Sequence, residues 1–195
     1  KSTNHEKLHC LPIGLNYSRH YDSMTEWLNN KQTSPPLKLL SVNYSPHTNS
    51  VRGQLVEKAK KDWSGFCDIL EFIPFKKSFW KRSYIEGKIK VDISNPKCYH
   101  QMSNYKFILS PPGAGEDTHR TWEALYVGCI PIVKSSLLNS LYEDLPVVII
   151  NDWDEITNEF LETEYKKIQE KKKKGEYKFE KLEMSYWLNI INNNL

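Results

Sequence analysis

Short apolar runs alternate with amphipathic stretches along most of the chain, and their lengths predict a repeating strand-and-helix order. LHCLPIGL at 8–15 reads as a strand, 21–30 as a short helix, and Ser34-Pro35-Pro36 as a break. A buried strand is expected at 37–44 (LKLLSVNY). Val51, Leu55, Val56 and Ala59 fall at helical spacing, which predicts a helix over 51–63 with Ser50 as its cap. DILEFI at 68–73 is the next strand, closed by Pro74. From 76 to 98 the pattern thins, and Phe79, Trp80, Tyr84 and Ile85 suggest only a turn or two of helix among basic residues. A helix over 96–104 then runs into the strand YKFILS at 105–110, which stops at Pro111-Pro112.

The second half repeats the order more sharply. A helix is expected over 118–127, with Asp117 as its cap and Gly128 just past its end. IPIV at 130–133 is a strand, 136–142 a short helix, 147–150 a strand, and 153–170 a helix that continues into the lysine run at 171–174. Phe179, Leu182, Tyr186, Trp187 and Ile190 form a final apolar stripe, expected to pack back on the body or onto a neighbouring domain. Strands of roughly four to eight residues between helices of about ten imply an α/β fold, a Rossmann-like, mostly parallel sheet flanked by helices. The chain divides into an N-terminal segment (1–36), the α/β domain (37–170) and a lysine-rich linker with a C-terminal helix (171–195).

Composition narrows the function classes. The 195 residues are 39% hydrophobic and 12% aromatic, as suits a globular domain with one substantial core. A net charge of +3, from 27 basic against 24 acidic residues, argues against a nucleic-acid partner, for which a concentrated basic face is expected. No apolar run reaches the roughly 18–20 residues of a membrane span, and the polar residues 1–7 lead into no signal peptide. Cys10, Cys67, Cys98 and Cys129 lack framework or metal spacing and read as reduced core thiols, which favours a cytoplasmic setting. The sequons at Asn16 and Asn43 lie in segments expected to be packed, and read as chance matches.

The candidate chemistry lies at 110–123, SPPGAGEDTHRTWE, a strand end, a glycine-bearing loop and a helix N-terminus. Gly113 and Gly115 can take positive φ and, lacking a Cβ, let backbone amides approach a ligand. The first turn of the helix adds unpaired N–H groups and partial positive charge, a combination suited to a diphosphate. The spacing G-A-G matches neither GxGxxG nor GxxxxGK[ST]. His119, Arg120 and Glu123 share one side of the helix start, and Trp122, Leu125 and Tyr126 the other. Arg120–Glu123 reads either as an exposed helix ion pair or as a cation for phosphate beside a carboxylate for two ribose hydroxyls.

YKFILSPPGAGEDTHRTWEALYVGCIPIVK resembles the C-terminal signature of exostosin-type and related GT-B glycosyltransferases, a K-F-x-L-x-P-x-G strand and loop followed by H/R-x-x-E-A-L-x-x-G-C-I-P-V/I. Weaker echoes lie at Pro12-Ile13-Gly14-Leu15, at Asn43-Tyr44-Ser45 with Thr48-Asn49 and Arg52, and at Ile150-Asn151-Asp152-Trp153. The resemblance implies the C-terminal half of a GT-B fold, binding a nucleoside-diphosphate sugar as substrate and transferring the sugar to a glycan acceptor. By that resemblance Glu123 binds the donor ribose, and Gly113, Ala114, Gly115, Thr118, His119 and Arg120 hold the diphosphate and sugar. Asn43, Ser45 and Arg52 face the donor phosphates. Arg52 reads equally as a surface helix residue, while Lys134 reads better as a residue outside the site than as a contact to the base or a phosphate. The resemblance also admits a Golgi setting.

One half of such an enzyme is not legible. Residues before 37 are too few for an acceptor domain, so either a partner domain is missing or the acceptor site is formed elsewhere. No catalytic base is named, because Glu116 and Asp117 read as cap and dipole partners. No metal or other cofactor is expected: Asp152-Trp153-Asp154 reads as a turn and cap, and the histidines lack ligand spacing. The alternatives to a glycosyltransferase are a non-catalytic or truncated nucleotide-sugar-binding module, and an epimerase on the same scaffold.

Overall fold

The structure, a computed structural model, describes residues 10–15, 17–30, 34–73, 90–92 and 97–193. In chain order its elements are α1 (Tyr17–Asn30), β1 (Lys38–Val42), α2 (Ser50–Asp62), β2 (Cys67–Ile69), β3 (Glu71–Ile73), β4 (Lys90–Asp92) and α3 (Lys97–Met102). They continue with β5 (Tyr105–Leu109), α4 (His119–Val127), β6 (Ile130–Lys134), α5 (Asn139–Tyr142), β7 (Val148–Ile150), α6 (Asn158–Lys173) and α7 (Met184–Asn193). Two 3₁₀ turns, Trp153–Glu155 and Phe179–Leu182, precede α6 and α7.

Five strands form one all-parallel sheet in the order β2-β1-β5-β6-β7, which is the expected Rossmann-like α/β arrangement. Leu70 alone separates β2 from β3, and β3 pairs in parallel with β4 as a separate two-stranded sheet. The chain winds outward from β1 in one direction and then returns through β5 to β7 in the other. The winding therefore reverses between β1 and β5, where an open α/β sheet leaves a crevice at the carboxyl ends of its strands.

Residue alternation assigns the two faces of the sheet to different cores. Leu40, Val42, Phe107, Leu109, Ile132 and Ile150 face one way and meet Leu55, Ala59 and Leu161 from α2 and α6. Ile108, on the other face, joins the core formed with Met24 and Trp27 of α1, Tyr99 and Met102 of α3, and Ala124 and Val127 of α4, which Tyr105 reaches from the strand's start. Each such Leu, Ile or Phe stabilises the fold by about 1.5–3 kcal/mol on full burial. A third cluster joins Trp122 and Leu125 to Val133, Leu141, Tyr142 and Trp187. The C-terminal stripe thus packs back on the body: Trp187 Nε1 donates to Lys181 O at 2.7 Å, and the Tyr126 hydroxyl donates to Leu182 O.

Several local expectations change. Residues 10–15 form no strand; Pro12 has no N–H, and Ile13 N–H and the Gly14 carbonyl bond to side chains instead. Residues 8, 9 and most of 76–98 lie outside the described residues. The α2 cap is Asn49, whose Oδ1 accepts from Val51 N, and Ser50 is the first helical residue. Asp117 does not cap α4; Thr118 takes that position with no side-chain cap bond. Gly128 ends α4 at φ 89°, as expected of a left-handed C-terminal glycine. Cys67, Cys98 and Cys129 are buried and Cys10 is half-buried. No helix of the described residues is long and apolar enough to cross a membrane.

Candidate functional site

The crevice is built from the residues that follow β1 and β5. Val42 pairs in register with Leu109, so Asn43 and Ser110 leave the sheet side by side. Both side chains continue the alternation of Ser41 and Ile108, toward the face covered by α3 and α4. Ser110 Oγ lies 2.8 Å from Thr121 Oγ1 and 3.2 Å from Thr118 Oγ1, tying the strand end to the first turn of α4. Asn43 is fully buried, yet neither its Nδ2 nor its Oδ1 has a partner among the described residues. An amide left in that state costs on the order of 1–3 kcal/mol, which a polar ligand at this point would offset.

The 110–118 loop is held at its start by α2. Arg52, only 8% exposed, donates from Nε to Pro112 O (2.9 Å), from Nη2 to Pro111 O (3.1 Å), and from Nη1 to Thr48 Oγ1 (2.9 Å) and Ser45 O (3.5 Å). Asn49 Nδ2 donates to Gly113 O at 3.0 Å. The guanidinium also sits 5.1 Å from the centre of the Tyr44 ring. Burial lowers the Arg52 pKa, Tyr44 opposes that shift, and the positive charge of Arg120 adds to it.

The loop glycines do not use the positive φ open to them. Among the described glycines only Gly14, Gly128 and Gly175 have it. A Cβ on Gly113 would lie 2.9 Å from Arg52 Nη2, whereas one on Gly115 would meet only Asp117 O at 3.7 Å. Gly113 N–H closes onto Gly115 O at 2.9 Å, leaving Ala114 and Gly115 exposed at the loop crest. Steric demand, rather than backbone conformation, explains the first glycine.

The end of the loop is held by other elements. Asp117 Oδ2 accepts from Ile13 N–H at 2.7 Å, and Oδ1 accepts from Trp122 Nε1 (2.9 Å) and the Tyr142 hydroxyl (3.0 Å). Burial and the nearby Asp117 charge raise the Tyr142 pKa, so the phenol stays a donor. His119 Nδ1 lies 2.7 Å from Gly14 O, and because a carbonyl only accepts, that nitrogen carries the proton. The imidazole thus turns toward the 10–15 segment.

Arg120 and Glu123 form an ion pair at 2.9 Å, with side chains 9% and 5% exposed. It is buried, unlike the exposed pair that their spacing also allowed. Arg120 Nη1 further contacts Met102 Sδ at 3.1 Å, and Nε has no partner among the described residues. Tyr99 stands close enough that burial first, and the Glu123 charge second, raise its pKa. Burial pushes the Cys129 thiol up to about 12 while it donates to Met102 O, so it is no nucleophile.

Beside the loop an open cleft of about 680 Å³ is lined by Pro112, Glu116, Lys134, Ser135, Ser136, Leu137 and Leu138. Lys134 stands 3.9 Å from Asp152. Asp152 caps the 3₁₀ turn and Asp154 pairs with Lys58 at 2.5 Å, so the two aspartates act in separate contacts.

The expected site residues fall into two groups. Asn43, Ser45, Arg52, Gly113, Ala114, Gly115 and Thr118 gather at the carboxyl ends of β1 and β5. His119 turns to the 10–15 segment, and Arg120 with Glu123 turns beneath α4 toward α3. Sequence reasoning missed Asn49, Ser110, Thr121 and the gathering role of Asp117. Ser110 and Thr121 could have been found from the strand and helix faces they occupy; Asn49 and Asp117 act through contacts distant in sequence. No protein-family model matches the chain, and no curated protein matches it significantly.

Proposed function

We propose that this chain holds the nucleoside-diphosphate-sugar site of a glycosyltransferase of the exostosin-like GT-B type. The observation that carries the reading is Asn43, a fully buried amide without a partner among the described residues, at the reversal point of a parallel sheet. Support comes from the N-terminus of α4 across from it, whose first N–H groups have no partners within the helix. Glu123, the residue assigned to the ribose hydroxyls, is held by Arg120 in a buried ion pair at 2.9 Å. In the reaction the bond from the anomeric carbon to the diphosphate oxygen breaks and a bond to the acceptor oxygen forms. The acceptor proton leaves to a base, and negative charge gathers on the departing diphosphate. Preorganised dipoles and a cation stabilise that charge more than they stabilise the substrate.

Calorimetric titration with UDP, GDP and several of their sugars tests the reading, with wild type compared against Glu123→Ala. Saturable binding is expected, weakened roughly tenfold or more in the variant. Absence of binding by every nucleotide would overturn the site. A second reading, a module that binds without transfer, is favoured by the engagement of Asp117 and of His119 Nδ1 in structural bonds. Binding with neither transfer nor donor hydrolysis would decide for it.

A further inference from the structure

We infer that Arg52 is a positioning residue, shaping the 110–118 loop through its carbonyls without touching the ligand, and that Gly113 is a glycine because the Arg52 guanidinium fills the space a side chain would take. The functional part rests on the reading of this loop as a nucleoside-diphosphate site. Position alone would suggest something different. A buried arginine one turn into the helix after β1, in the sheet's crevice, is where a direct phosphate ligand would be placed.

The donors of Arg52 are already committed. A guanidinium has five N–H groups, and the bonds to Pro112 O, Pro111 O, Thr48 Oγ1 and Ser45 O leave one. Nε and Nη2 lie on one edge of its planar fork, so they hold the carbonyls of two consecutive residues at once. Both residues are prolines, which contribute no N–H of their own to order this stretch. Asn49 takes the next carbonyl, that of Gly113.

Three successive carbonyls are thereby turned toward α2. Across a planar trans peptide the N–H of the next residue points opposite to the carbonyl. The N–H groups of Gly113 and Ala114 therefore face away from α2, and that of Gly113 closes the crest onto Gly115 O. Drawing Arg52 onto a phosphate would release these carbonyls and the orientation with them. Gly113 completes the device, since a Cβ there would stand 2.9 Å from Nη2 and 3.2 Å from Cζ. Its φ lies outside the left-handed region, so backbone freedom is not what requires it.

The test is a double-mutant cycle on the full chain with Gly113→Ala, Arg52→Ala and their combination, read by thermal unfolding and by calorimetric titration with UDP and GDP. Each single change is expected to lower Tm by roughly 4–10 °C and to weaken nucleotide binding about tenfold. In the double variant the Gly113→Ala penalty should vanish, because the guanidinium it strikes is gone. Additive penalties, or a Gly113→Ala variant as stable as wild type, would overturn the clamp. Arg52→Lys adds an arm that does not depend on removing the charge: the ammonium cannot bridge both proline carbonyls and Thr48, so affinity should fall nearly as far as in Arg52→Ala. Near-wild-type affinity in Arg52→Lys would instead show a direct charge contact. If wild type binds no nucleotide, the donor-site reading fails, while the Tm cycle still decides whether Gly113 and Arg52 are coupled.

Discussion

The two ends of the 110–118 loop are held by opposite chemistry. At the start, one cation reaches out from α2 and donates to backbone carbonyls at Pro111 and Pro112. At the end, one carboxylate on the loop, Asp117, collects donors from the 10–15 segment, from α4 and from the α5 residue Tyr142. The start is tied to the core beneath α2 and α6, the end to the cluster around Trp122 and Tyr142. The loop therefore spans two cores, and its shape records how they sit against each other. Asn43, buried at the end of β1, bonds to neither anchor among the described residues.

This contrast can be broken most forcefully at Asp117. Asp117→Ala strands the Trp122 and Tyr142 donors and frees Ile13, and is expected to cost about 2–4 kcal/mol of stability. Chemical denaturation measures it, and a cost below about 1 kcal/mol would show that the end of the loop is not anchored there. Combined with Arg52→Ala, the two costs should add within about 0.5 kcal/mol, since the anchors share no partner. A larger coupling would mean the loop transmits strain from one end to the other. His119→Ala removes a single bond to Gly14 O and should cost about 0.5–1.5 kcal/mol. Amide exchange at residues 13–15 should then rise while exchange at 111–113 stays unchanged.

Smaller effects sharpen the picture. Asn43→Ala deletes an amide that has no partner, so stability should shift by less than about 1 kcal/mol, while affinity for UDP or GDP falls at least about tenfold. A large stability loss with unchanged affinity would return Asn43 to a purely structural role. Gly115→Ala meets only ordinary contact at 3.7 Å and should move stability by no more than about 0.5 kcal/mol. Its neutrality beside a damaging Gly113→Ala would separate the two glycines by cause.

Much of the scaffold was legible from local pattern. The runs LLSV, YKFIL and IPIV lie in strands whose apolar residues are buried on both faces, as parallel strands under two helical layers must be. Gly128 announced the end of α4, because few other residues take its φ of 89° without strain. The candidate site was legible as a location, strand end to helix start, but not as a set of contacts. Asp117 has the residue type and place of a cap, yet an indole and a phenol outcompete the helix N–H groups for it. Arg120 and Glu123 have the spacing of a surface pair, and whether such a pair is buried depends on what α3 places over it.

The chain by itself determined the α/β order, the strand and helix that bracket the loop, and the concentration of candidate chemistry at 110–123. These follow from periodicity, from turn residues and from helix termini, which act over a few neighbouring positions. Only the tertiary structure decided that Gly113 serves Arg52, that Asp117 gathers three elements, and that Asn43 is buried without a partner among the described residues. Each of these depends on which groups from distant segments arrive within hydrogen-bonding distance or within a carbon radius. Such distances are set by how two cores pack on one sheet, and no local pattern encodes them.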